Sequence, residues 1–312
     1  MSIRSIATCI SLVLVSMNCS AEDKNYPGLN STQVGMQTIR YQESLKDFAG
    51  IGDLATDISV TNTVLYASSY TSLTGKWGFL LNTKSDVTKE YTKDTWSVGE
   101  YGIVQQNTSK LSLADMVAQG VYHVDDEFYV AFGGQLKTIG FVRSNFEAIG
   151  RAAELNNEIR ESDKYFTDPN PPQILTSPLA IEEDLTYFNA IAGIHYNTAF
   201  SNARKRLTWH VGANLALPVL ATAKNSQLEQ QYGIESIDES FNGFEARLNA
   251  GVSYEIKKGI ALTFNADFMM AQFSEMSTTF KDENSGGIER TASIPDIDMS
   301  GTQFSFGILW IN

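Results

Sequence analysis

The chain has 312 residues, of which 43% are hydrophobic and 11% aromatic, and a formal net charge of −13. So acidic a chain lacks the basic surface that phosphate binding calls for, and no nucleic-acid partner is expected. It has no run of about 18 or more apolar residues, which excludes a helical membrane protein, and its many large apolar side chains exclude a disordered one.

Residues 1–21 read as an export signal. "MSIR" gives a positive start, "IATCISLVLVS" an apolar stretch too short to span a bilayer, and "NCSA" small residues before cleavage at Glu22. A lipoprotein signal acylated at Cys19 is the rival reading, but Met17 and Asn18 stand where small residues are usual. Both cysteines, Cys9 and Cys19, lie in this segment. Residues 22–312 are expected to form a single domain held by hydrogen bonds and packing, without disulfides.

Strand signals follow. "TQVGMQTIRYQES" (32–44) alternates, but a partner for it cannot be placed. Segments 58–70, 76–83 and 96–106 read as three strands, and 116–124 with 128–142 as a hairpin around the turn "DDE". Within 143–184, Phe146, Ile149, Ala152, Leu155 and Ile159 share one face of a helix, and four of the seven prolines follow. This segment either folds over the mouth of the fold or forms a surface loop. From 185 onward a period of two is sustained through 185–200, 207–220, 244–256, 260–270 and the final "TQFSFGILWI".

Soluble strands usually run about 5–6 residues, whereas tilted bilayer-spanning strands need about 9–11, and these segments are of the longer kind. Short turns at 201–206 and 257–259 alternate with long polar connections at 221–242 and 273–300. Such segregation fits an outer-membrane barrel. Tyr196, Phe200, Trp209, Tyr254 and Trp310 lie near strand ends, as interfacial girdles require. The alternation and the closing "FSFGILWIN" resemble Gram-negative outer-membrane β-barrel proteins of the porin-like class, although the last aromatic, Trp310, is followed by Ile311 and Asn312. The fold expected is all-β, a transmembrane antiparallel up-and-down barrel of ten to twelve strands with long extracellular loops. Its place is the outer membrane, and its partners are outer-membrane lipid and lipopolysaccharide together with the barrel-assembly machinery. A monomer is expected.

Strand parity assigns the two faces. Ile194, Trp209, Leu215, Leu248, Phe264, Phe306 and Trp310 face lipid. Glu100, His195, Asn197, His210, Asn214, Glu245, Arg247, Asn249, Glu255, Asn265 and Asp267 face the lumen, which reads either as a hydrated, cation-leaning passage or as an internal plug. His123, His195 and His210 are the three histidines, and none has the His-x-Ser or Asp-x-His spacing of enzymatic barrels. No metal-ligand spacing and no cofactor motif is present. A narrow channel or transporter for a small solute or amphiphile is therefore expected, not an enzyme. The alternatives are an enzyme of the outer leaflet or a structural or adhesive barrel.

Overall fold

The computed structural model describes residues 26–162, 173, 174, 176, 179–201, 205–282 and 287–312. The proposed signal segment lies outside them. The strands are β1 (Leu29–Phe48), β2 (Gly52–Thr74), β3 (Trp77–Asp86), β4 (Tyr91–Val98), β5 (Gly102–His123), β6 (Phe128–Ala148), β7 (Ile181–Asn197) and β8 (Leu207–Asn225). They continue with β9 (Ile237–Glu239), β10 (Phe244–Lys257), β11 (Ile260–Phe273), β12 (Met276–Asp282), β13 (Ile288–Ile294) and β14 (Asp296–Ile311). Two helices are described, α1 (Ala152–Glu161) and α2 (Ser226–Tyr232), and neither is long and apolar enough to cross a membrane.

Antiparallel pairing runs β1-β14-β11-β10-β8-β7-β6-β5-β3-β2 and returns to β1, a closed ring of ten strands. Segment 32–44 belongs to β1, whose partners are β14 and β2. It finds a place because 96–106 and 116–124 are not separate strands. Residues 102–123 form the single strand β5, while 96–98 belong to β4. β3 and β4 occupy one slot between β2 and β5, interrupted at 87–90. There Asp86 replaces missing backbone bonds, accepting from Leu113 N at 2.8 Å and from Asn62 Nδ2 at 2.8 Å.

Wall strands such as β5, with 22 residues, are about twice as long as a bilayer requires. The surplus stands in water on the side away from the short turns, and the faces exchange character there. In the half nearer the short turns, apolar side chains point out and polar ones in: Phe264, Phe304 and Phe306 are exposed while Asn265 and Ser305 are buried. In the other half the order reverses. Ile39, Tyr41, Ile58, Val60, Leu111 and Ile297 are buried inside, and Arg40 and Asp57 form an exposed ion pair outside. A wall bathed by water on its outer face needs an apolar interior, as a soluble barrel does; a wall bathed by lipid does not.

The described parts of the long connections carry regular elements. β8 runs on to Asn225, whose side chain caps α2, and β9 pairs back onto β8. β12 and β13 form a hairpin above the wall. β6 extends through Phe146 to Ala148, so the expected helix starts only at Ala152. Its face of Ala152, Leu155 and Ile159 packs with Ala49, Val98, Tyr101 and Val104 at the rim.

Candidate functional site

The interior is layered. At the end carrying the short turns, Tyr26, Tyr70, His123, Tyr129 and Phe200 form an aromatic floor. Tyr26 and the His123 ring stack with centroids 3.7 Å apart, and Tyr70 Oη lies 2.7 Å from His123 Nε2. Phe200, expected in an interfacial girdle, is 3% exposed and belongs to this floor. The girdle is built from outward rings instead, including the stacked pair Tyr196–Trp209 and the pair Trp77–Tyr122. At the other end the apolar cluster of the projecting half forms a ceiling. Tyr187 stacks on Phe273 with centroids 4.0 Å apart, and Tyr41 lies against Phe141 at 4.9 Å.

Between floor and ceiling lie two adjoining voids of about 160 and 40 Å³, which share Tyr66, Asn82, Arg247 and Asp267. Together they form a chamber with two walls of different chemistry.

One wall is neutral and polar, and strand register builds it. His195 and Asn249 flank Gly212, Asn214 flanks Gly193, and His210 and Asn265 flank Gly251. A Cβ at any of these three glycines would run into one of those imidazoles or amides. Large polar groups on β7, β8, β10 and β11 thus lie over their neighbours' glycines. Asn265 Nδ2 donates to Gln33 Oε1 at 2.7 Å, as does Ser305 Oγ at 2.8 Å. Gln119 Nε2, Asn249 Oδ1 and Asn265 Oδ1 are buried polar atoms without a protein partner. Such atoms in native proteins are satisfied by water or ligand.

The other wall is charged. Lys137 pairs with Glu245, and Arg247 pairs with Asp115 and, at 2.6 Å, with Glu245. Gln135 donates to Asp115 at 3.1 Å and accepts from Asn189 at 2.8 Å. Lys84 and Asp267 also line the smaller void, and neither makes a hydrogen bond or ion pair among the described residues.

His195, Asn197, His210, Asn214, Arg247, Asn249, Asn265 and Asp267 line the voids. Glu245 is buried beneath them in its ion pairs. One residue expected in the lumen lies elsewhere. Glu100 is exposed in the tight turn Gly99–Tyr101 at the rim, because the wall strand ends at Val98. Glu255 keeps the inward face, opposite buried Ala261, but at the very end of the strand, where it accepts from Gly259 N at 2.7 Å in the β10–β11 turn. Ile194, Trp209, Leu215, Leu248, Phe264, Phe306 and Trp310 are all exposed on the outer wall. Sequence reasoning missed Lys84, Asp115 and Lys137. With them the charged wall holds three cationic and three anionic groups, so it does not lean toward cations. The parity of 128–142, which turns Tyr129, Ala131 and Gln135 inward, also turns Lys137 inward and was the available signal.

Above the ceiling, Arg143 bonds Glu43 at 2.6 Å and Asp94 at 3.2 Å and lies over the Phe141 and Trp96 rings. Burial and the Glu43 carboxylate push the nearby Glu183 carboxyl up to about 7, against the lowering effect of Arg143 and of the Asn225 amide.

No protein-family model and no curated protein matches the chain. Among solved structures it is similar to the outer membrane protease OmpT from Escherichia coli, with a TM-score of 0.63 and 8% identity over 94% of this chain and 99% of that one. A Pseudomonas aeruginosa FadL homologue superposes at a TM-score of 0.32 and 8% identity, covering 91% of this chain and 90% of that one. At such identities the likeness to the protease concerns the fold alone: a closed antiparallel β-barrel of the outer-membrane type, here with an apolar outer wall.

Proposed function

We propose that the barrel is a gated, non-catalytic passage that holds a small polar solute in its chamber. The observation that carries this reading is a void lined by imidazoles and unpartnered amides among aliphatic side chains and closed by aromatic rings on one side and by an apolar cluster on the other. A structural plug gains nothing from leaving unpartnered amides around a void, since each costs about 1–3 kcal/mol when unsatisfied. A permanently open pore would not fill its projecting half with side chains. Passage therefore requires the ceiling and floor to move in turn. His123, His195 and His210 lie in the floor and chamber wall, well below the mouth, which favours binding over catalysis at the cell surface.

Planar-bilayer recording tests the gate. The wild-type barrel should show no steady current, and shortening the ceiling with Tyr187→Ala and Phe273→Ala together with the floor by Phe200→Ala should give stepwise conductance. A wild type that conducts steadily, or a folded triple variant that stays silent, would overturn the gate.

A further inference from the structure

We propose that the chamber recognises a small zwitterion of the α-amino acid type, its carboxylate on Lys84 and its ammonium on Asp267; this rests on the solute-binding reading above.

The argument begins with which charges are already occupied. Lys137, Glu245, Arg247 and Asp115 satisfy one another in the charged wall. Lys84 and Asp267 border the same small void but form no ion pair together or with any described residue. Lys84 points inward from β3 and Asp267 from β11, strands on opposite sides of the ring. A cation and an anion that face one void without touching a partner are held less well than a contact pair, and a molecule that bridges them recovers the difference. One bridging molecule must carry both signs. An uncharged polyol leaves both groups without a contacting counter-ion, and a simple anion or cation answers only one.

Size and direction narrow the class. The small void, about 40 Å³, has room for a compact charged head. It opens into the larger void of about 160 Å³ past Asp267 and Arg247. The surfaces met there are amides, hydroxyls and the His195 and His210 imidazoles, interleaved with the aliphatic side chains Leu29, Leu80, Val117, Ile191 and Leu309. A head group held at Lys84 and Asp267 therefore directs its side chain into an uncharged space that offers hydrogen-bonding groups between apolar ones. A short polar side chain such as a carboxamide fits that chemistry, and a large apolar one would strand the unpartnered Gln119 and Asn249.

Isothermal titration calorimetry on the detergent-purified full-length barrel tests this with glutamine, glucose, acetate and ethylammonium as probes. Glutamine should bind at least tenfold more tightly than the other three. Lys84→Met and Asp267→Asn should each weaken glutamine at least tenfold, and Lys84→Arg should largely retain it. Neither side chain bonds to the wall, so circular dichroism should show the variants folded. Glucose binding that equals glutamine and is indifferent to both substitutions would overturn the zwitterion while leaving a solute chamber standing. Binding of acetate or ethylammonium alone would do the same. The absence of heat with all four probes would overturn both the zwitterion and the chamber reading.

Discussion

Glu183 is buried, one of its carboxylate oxygens lacks a partner, and it faces Glu43 and Arg143 beneath the mouth of the barrel. Its carboxyl titrates near 7 instead of the ordinary 4.5. A carboxyl that holds its proton more tightly in the fold than in the unfolded chain weakens the fold as pH rises between those values. Thermal unfolding in detergent should accordingly show lower stability at pH 8 than at pH 5. Glu183→Gln should flatten that part of the profile and leave the low-pH stability near the wild type. Asp86 acts by geometry, because its carboxylate occupies the break between β3 and β4. Asp86→Ala leaves Leu113 N–H and the Asn62 amide without that acceptor and should cost about 1–3 kcal/mol in urea unfolding.

Between elements, register decides where the chamber lies. Because the side-chain period is two, a one-residue slip of β8 would turn His210 and Asn214 toward lipid and Trp209 inward. The observed pairing sets Gly212 between His195 and Asn249. Gly212→Ala should push both side chains into the void, costing about 1–3 kcal/mol by overpacking and weakening glutamine binding. Competition calorimetry beside a folding check separates these effects. At the mouth, α1 closes one side of the rim through Leu155 and Ile159, both fully buried. Within 143–184, the described helical part Ala152–Glu161 packs onto the rim.

For the whole molecule, lipid on one part of the wall and water on the other decide what each face must carry. An arginine placed at Phe264, in the lipid-facing band, should cost about 2–4 kcal/mol near mid-membrane. On the same strand Gln272 faces outward beside Asp298, above that band, and Gln272→Arg should cost almost nothing. Urea unfolding in lipid vesicles would compare the two, and equal costs would show that the bilayer edge lies elsewhere.

The lipid-facing half was legible in the sequence because Trp209, Leu248, Phe264 and Phe306 alternate with polar residues along uninterrupted strands. Parity from those residues gave the inward places of His195, His210, Asn249 and Asp267. The projecting half resisted that reading because its alternation reverses. In β1 the apolar face passes from Val34 and Met36 outside to Ile39 and Tyr41 inside, and in β5 from Met116 outside to Leu113 and Leu111 inside. A strand whose apolar residues change sides midway looks like two strands or none. The sequence by itself determined that a long-stranded barrel forms and which face of its lower wall is greasy, since a period of two is a local property. Only the tertiary structure decided that Lys84 and Asp267 face one chamber and that aromatic and apolar layers seal it. Those relations join residues from opposite sides of a closed ring, and ring closure is set by pairing between strands far apart in the chain.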